Sequence, residues 1–367
     1  MQALGALGWD PFFDSQVTGD ERARWTPARV VWEVREQYRL STGEAEWRAD
    51  LAGRLRHEAA SRTDLPAVGD WVLAALRPAE GRATIHRCLA RRSCFSRTGA
   101  GRSTEEQVVA ANVDTVVIVT SFNRDFNVRR IERYLALAWE SGARPIVLLN
   151  KADLCADQEA WRTQLTTETA AVSQGVPLLV TSAVSGEGMA DLVGVVRAGG
   201  TTALLGSSGV GKSTLLNALS ASSGERRQGV LPIRDGDDRG RHSTTARQLF
   251  CLPGGGVLID TPGMRELQLW DSDAGLDRAF ADIDALAAGC RFRDCAHDAE
   301  PGCAVAAAVE RGVCPADRLD SYRRLQRENE FLRARHDDRA RLERTRKAKE
   351  ITKAARLQEK LRKRDLR

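Results

Sequence analysis

Gly206–Thr214 reads GSSGVGKST, with the apolar run Ala203–Leu205 before it and the leucine-rich TLLNALS, starting at Thr214, after it. The string fits G-x-x-x-x-G-K-[ST], and its flanks supply the strand–loop–helix setting in which that pattern has physical meaning. Gly206, Gly209 and Gly211 let the chain curl, so that N–H groups around Ser207, Ser208 and Val210 turn toward phosphate oxygens. The helix that opens at the end of the loop adds positive partial charge at the same point. Lys212 is expected to neutralise the outer phosphates and Ser213, which closes the motif, to help hold Mg²⁺; Thr214 follows as a further candidate contact.

Upstream lies Asn150-Lys151-Ala152-Asp153, directly after the apolar IVLL. A carboxylate at Asp153 can accept two hydrogen bonds from a guanine edge, and adenine would leave it unpaired. The segment resembles the NKxD pattern of GTP-binding proteins. By that resemblance Asn150 supports loop and base, Lys151 covers the purine with its stem, and Asp153 sets specificity. Ser182-Ala183, after VPLLVT, resembles the accompanying loop whose N–H meets the guanine oxygen.

Downstream, Asp260-Thr261-Pro262-Gly263 follows GVLI; Asp260 is expected to hold Mg²⁺ through water and the Gly263 N–H to meet a γ-phosphate. Thr244 and Thr245, in GRHSTTARQ, are the candidate switch threonines. Ordinary small GTPases run phosphate loop, switch threonine, DxxG, NKxD, then SA. Here NKAD and SA come first, which is a circular permutation that leaves both switches just upstream of the C-terminal region. Many GTPases carry a water-positioning Gln after DxxG, but this chain carries Met264, so intrinsic hydrolysis is expected to be slow. His242 is the local candidate to orient water, and with Thr245 and Lys212 it forms the expected catalytic set.

At 367 residues the chain calls for two or three domains. Before Arg102, the short β-prone runs RVVWEV, VGDWVLAAL and ATIHRCLA are separated by segments such as RLSTGEAEW, which predicts a small barrel or sandwich; the length admits an oligonucleotide-binding barrel among these. Strand and helix patterns then alternate: VDTVVIVTSF is a buried strand, and VRRIERYLALAWESG is a helix ending at Gly142. The expected architecture is a barrel over 1–102, a permuted α/β P-loop domain over 103–273, a small zinc-binding domain over 274–337 and a basic helical tail over 338–367.

Cys290, Cys295, His297 and Cys303 form the spacing C-x4-C-x-H-x5-C, a Cys₃His set suited to a closed structural Zn²⁺ site. Cys314 is a competing fourth ligand; it reads instead as a small buried hydrophobe, like Cys88, Cys94, Cys155 and Cys251. The charge is uneven. From Ser321 to Arg367 there are 18 Lys and Arg against 8 Asp and Glu, whereas the whole chain has 55 against 50. The body is therefore mildly acidic and the end strongly basic, a pattern that fits a phosphate backbone. No apolar run reaches the roughly 20 residues of a membrane span, and the start MQALGALGWD lacks a secretory pattern. A cytoplasmic monomer that makes no membrane contact is expected.

Taken together, the permuted motif order, the C-x4-C-x-H-x5-C spacing, VGDW (Val68–Trp71), EQVVAANVD (Glu106–Asp114) and GRHSTT resemble the ribosome small-subunit-dependent GTPases of the RsgA (YjeQ) type. Where that family usually reads GRHTTT, Ser243 departs slightly and leaves the two threonines intact. The resemblance implies an oligonucleotide-binding barrel, a permuted GTPase and a zinc knuckle. It also implies binding of GTP/GDP with Mg²⁺, contact with rRNA and the 30S subunit, action late in 30S assembly, and hydrolysis stimulated by that particle. The family's proposed catalytic His maps onto His242. The rival readings are an ATP-dependent P-loop enzyme and a non-enzymatic RNA- or ribosome-binding protein whose nucleotide site only regulates.

Overall fold

Among the described residues, eleven strands are joined edge to edge in one sheet that serves two folds. The structure, a computed structural model, describes residues 2–98, 106–198, 200–221, 247–252, 255–260, 273–298 and 300–334. It separates into two units, the first made of Met1–Gln268 with Asp277–Ala281, the second of Leu269–Leu276 with Asp282–Arg367.

In the first unit, β1 (Thr26–Val34), β2 (Gln37–Ser41), β3 (Glu46–Leu51), β4 (Trp71–Arg77) and β5 (Arg82–Cys88) follow the ladder β1-β2-β3-β5-β4. The pairing of β4 back onto β1, from Thr26↔Ala74 to Arg29↔Trp71, closes it into a five-stranded barrel. Closure removes the strand edges that would otherwise invite foreign pairing. Val30, Tyr38, Leu40, Ala49, Val72 and Ile85 belong to its core. β2 and β3 lie where the sequence suggested a polar separator. Their outward residues Gln37, Arg39, Glu46, Arg48 and Asp50 are polar, and only the alternate positions Tyr38, Leu40 and Ala49 are buried. A barrel needs just one apolar face per strand, so half of each strand reads as loop.

β6 (Cys94–Thr98) and β7 (Glu106–Ala111) pair as a separate hairpin. The VGDW segment binds this hairpin to the barrel. Gly69 has φ +94°, and a Cβ there would lie 2.1 Å from the Ala111 carbonyl oxygen. The Gly69 carbonyl accepts from Arg29 Nε at 3.1 Å and Asn112 Nδ2 at 3.2 Å. Arg29 is wholly buried, also donates to the Leu7 and Asn112 carbonyls, and burial pushes its guanidinium down to about 10.

The remaining strands are β8 (Thr115–Ser121), β9 (Arg144–Asn150), β10 (Leu178–Val180), β11 (Thr201–Leu205), β12 (Arg247–Cys251) and β13 (Val257–Asp260), ordered β10-β9-β8-β11-β13-β12. All neighbours are parallel except β12 against β13. Every residue of β8 is buried, as a central parallel strand covered on both faces requires. The helix Val128–Ser141 ends at Gly142 as expected, with φ +85° at the left-handed cap. The barrel and this sheet are continuous because β1 pairs with β12 at Trp32↔Gln248 and Glu33↔Arg247. Arg247, nearly buried, is 3.2 Å from Glu33 Oε2 and donates to the Val108 carbonyl at 2.9 Å.

The second unit contains the helix Ala304–Glu310 and a longer helix over 316–334. Its buried side chains include Ile283, Val305, Ala308, Leu319 and Leu325. Arg318 grips Asp282 with two hydrogen bonds of 2.7 Å each, a forked guanidinium–carboxylate pair. The basic tail of 338–367 lies outside the described residues.

Candidate functional site

Parallel strands deliver their carboxyl ends to one edge of a sheet, and that edge is where an open α/β fold binds ligands. β9 ends at Asn150, β10 at Val180, β11 at Leu205 and β13 at Asp260. Each motif therefore reaches the same edge whatever its order along the chain.

Gly206 and Gly211 are required by close packing. A Cβ on Gly206 would lie 2.3 Å from the Val119 carbonyl oxygen, and one on Gly211 (φ +98°) would lie 2.4 Å from Asn150 Nδ2. Gly209 needs its freedom for φ +79° alone. Ser207, Ser208 and Gly209 are at least partly exposed along the loop, Val210 is buried, and Ser213 and Thr214 are exposed. Lys212 opens the helix Lys212–Ala221, and its Nζ folds back onto the Gly206 and Ser207 carbonyls at 2.7 and 2.6 Å. The loop is thus held curled by its own cation.

Asn150 fastens the NKAD segment to this loop. Its Nδ2 donates to the Val210 carbonyl at 2.9 Å, and its Oδ1 accepts from Thr181 Oγ1 at 3.3 Å. Lys151 follows in the left-handed region at φ +63°, which turns the chain sharply before Asp153. Asp153 Oδ1 accepts from the Ser182 hydroxyl at 2.5 Å. That hydroxyl also accepts from the Val184 and Ser185 N–H groups at 3.2 and 3.1 Å, so Ser182 shapes its own loop while aiming Asp153. Ala183 sits half-buried between them. The side-chain roles of Ser182 and Thr181 have no signature in the sequence beyond their position after β10.

At the end of β13, burial pushes the Asp260 carboxyl up, and the Lys212 ammonium draws it partly back. A half-buried carboxylate facing one cation fits a second positive partner, and Mg²⁺ has the hard charge and oxygen preference for that place. His242, Thr244, Thr245 and Gly263 lie outside the described residues.

Two further side chains, not anticipated from sequence, meet the phosphate loop. Arg130 Nη1 donates to Ser207 Oγ at 2.9 Å and to Asp125 Oδ2 at 2.7 Å, and Ser207 Oγ lies 3.0 Å from the same carboxylate oxygen.

In the second unit, Cys290, Cys295, His297 and Cys303 bring one donor atom each to within 4.8 Å of one another. Cys314 stands outside this group, its thiol against the Pro315 carbonyl. Of the remaining cysteines read as buried hydrophobes, Cys155 is buried, whereas Cys88, Cys94 and Cys251 are only partly so. The Cys290 and Cys303 sulfurs are 3.9 Å apart and lie 3.6 and 3.5 Å from His297 Nδ1. A tetrahedral Zn²⁺ with its usual bond lengths requires about 3.8 Å between sulfurs and about 3.6 Å from sulfur to nitrogen, so these three donors fit the ion, with the Cys295 thiol within 4.8 Å of them. Burial opposes a Cys290 thiolate, but the Ala304 and Val305 N–H groups and the neighbouring thiols outweigh it and lower that thiol. Burial also lowers the His297 imidazole, which keeps it neutral, the form that ligates metal. Arg323 donates to the His297 carbonyl, holding the residue at its unusual φ of +60°.

A model of the RsgA GTPase family matches residues 88–270. The chain is 46% identical over 343 residues to "Small ribosomal subunit biogenesis GTPase RsgA" of Opitutus terrae, an alignment that covers 91% of this chain and 92% of that protein. The protein of the same name from Streptomyces coelicolor is 45% identical over 341 residues, with 93% and 90% covered. Among solved structures, YjeQ from Thermotoga maritima superimposes with a TM-score of 0.60 at 25% identity, covering 81% of this chain and 96% of that one. YloQ, described as a circularly permuted GTPase, gives 0.59 at 24% identity over 85% and 96%, and so shares the fold. With the permuted order set into its own strands and such similarity along nearly its whole length, the chain belongs to the RsgA GTPase family and is a circularly permuted GTP hydrolase.

Proposed function

We propose that this protein binds the small (30S) ribosomal subunit and its rRNA in the cytoplasm and acts in late subunit assembly, hydrolysing GTP to GDP and phosphate under stimulation by that particle. The reading rests above all on the fastening of Asn150 to the Val210 carbonyl. It ties the NKAD segment directly to the Gly206–Thr214 loop, and it stands beside relatives named for small-subunit biogenesis.

In this reading Asp153 accepts the guanine ring N–H and amine, Lys151 covers the base, and Ser182-Ala183 complete the base pocket. The loop from Gly206 to Thr214 wraps the phosphates, with Lys212 as its cation. Ser213 and Asp260 would hold Mg²⁺, which supplies charge neutralisation on the β- and γ-phosphates when bound. Thr244 and Thr245 would close over that end, Gly263 would donate its N–H to the γ-phosphate, and His242 would orient the water in place of the Gln that Met264 replaces. The barrel (1–102), the zinc domain (274–337) and the tail (338–367) would supply RNA contacts around the 103–273 GTPase domain, through single-strand and phosphate recognition.

The test is GTP turnover by the purified protein with and without purified small subunits. Stimulation by the subunits is the expected result; equal turnover in both would overturn the reading.

Zn²⁺ is proposed as a structural ion held by Cys290, Cys295, His297 and Cys303, four ligands that leave no open position for catalysis. Cys295→Ala is expected to cost about one equivalent of metal by elemental analysis and to loosen the second unit. Full retention would show that another set of residues holds the ion.

A further inference from the structure

Arg130 stands where a helix does not want a cation. It occupies the first turn of the helix Val128–Ser141, whose N-cap Asn127 accepts from the Arg130 N–H at 3.1 Å. Positive charge there opposes the helix dipole. Its guanidinium holds Asp125 with both terminal nitrogens, Nη1 to Oδ2 at 2.7 Å and Nη2 to Oδ1 at 3.3 Å. The pair is a third to a half exposed, so it adds little to folding stability. What sets it apart is the third corner: Ser207 Oγ, within the phosphate loop, bonds to both partners. Lys212 holds the same residue through its carbonyl. Two cations and one carboxylate thus converge on Ser207.

We propose that Arg130 is a second cation of the phosphate site, a positioning residue restrained by Asp125, and that the pair sets how fast guanine nucleotide leaves. The proposal rests on the reading of Gly206–Thr214 as the phosphate loop. In the pair, the Asp125 carboxylate cancels most of the field that Arg130 would impose on a bound di- or triphosphate. Neutralising Asp125 releases that field and leaves the guanidinium free to turn toward the phosphates. Removing Arg130 instead leaves a bare carboxylate beside the loop, which repels the same anion. A merely structural role predicts the opposite pattern: either loss would loosen the loop, and both variants would shift the same way.

Release of GDP and of a non-hydrolysable GTP analogue, each carrying a fluorescent ribose label, is followed by stopped flow in the full chain with Mg²⁺. Relative to the unaltered chain, Asp125→Asn is expected to slow release and Arg130→Ala to speed it, each by about three- to tenfold, with both effects shrinking as salt rises. The double variant is expected to return close to the starting rate, and Arg130→Lys to fall between arginine and alanine. In steady-state turnover KM for GTP is expected to move further than kcat. Shifts of the two single variants in the same direction, or no shift in either, would overturn the proposal. An unaltered chain that holds neither labelled nucleotide would overturn the phosphate-loop reading itself, a failure seen before any variant is compared.

Discussion

Lys212→Ala is expected to reduce GTP turnover in the presence of small subunits by about 10²- to 10³-fold or more, the scale on which a single preorganised charge or donor acts in a transition state. The reason lies in what the ammonium does twice. It bonds to the Gly206 and Ser207 carbonyls at 2.7 and 2.6 Å, which keeps the loop curled. It is also the cation that draws the half-buried Asp260 carboxyl back toward ionisation. Alanine removes the charge that a γ-phosphate needs as it leaves, and it leaves two carbonyls without their donor. Turnover of labelled GTP with saturating subunits is the measurement. A rate within twofold of the unaltered protein would exclude the role given to Lys212.

The second large effect concerns the base. Asp153→Asn is expected to weaken GTP binding by about 10²- to 10⁴-fold, the equivalent of two hydrogen bonds to a charged group at about 1.5–3 kcal/mol each. The fold tolerates the exchange, because an amide oxygen can still accept from the Ser182 hydroxyl that lies 2.5 Å from Asp153 Oδ1. What changes is the edge offered to the purine: an amide N–H₂ now faces the guanine donors. Xanthosine triphosphate carries a carbonyl where guanine has its amine, so its affinity is expected to rise as that of GTP falls. Calorimetry with GTP, ATP and xanthosine triphosphate separates the cases. Unaltered GTP binding, or an unaltered preference for ATP, would show that Asp153 does not read the base.

The two rows of strands show how legible the fold was. β8, β9, β11 and β13 are continuous apolar runs because both faces of a central parallel strand are covered, and such runs announce themselves. β2 and β3 bury only Tyr38, Leu40 and Ala49, so their segment reads as a polar spacer. A similar contrast runs through the site. Gly206, Lys212 and Asp153 are constrained by chemistry within a few residues of themselves, and short motifs record such constraints. Thr181, Asp125 and Arg130 act on partners across the fold, 31, 82 and 77 positions away along the chain. No local pattern marks them.

The sequence by itself determined the class of ligand and the order of the motifs, and it singled out the Cys₃His group that the fold gathers, because each depends on residue types at fixed short spacing. Only the tertiary structure decided that a permuted chain still assembles one site, that the barrel closes through β1 against β4, and that Ser182 aims Asp153 while Arg130 and Asp125 converge on Ser207. The physical reason is shared by all three. Strand pairing brings distant segments together, parallel in the α/β sheet and antiparallel where β4 meets β1, and the hydrogen bonds formed there depend on distances in space that the order of residues does not encode.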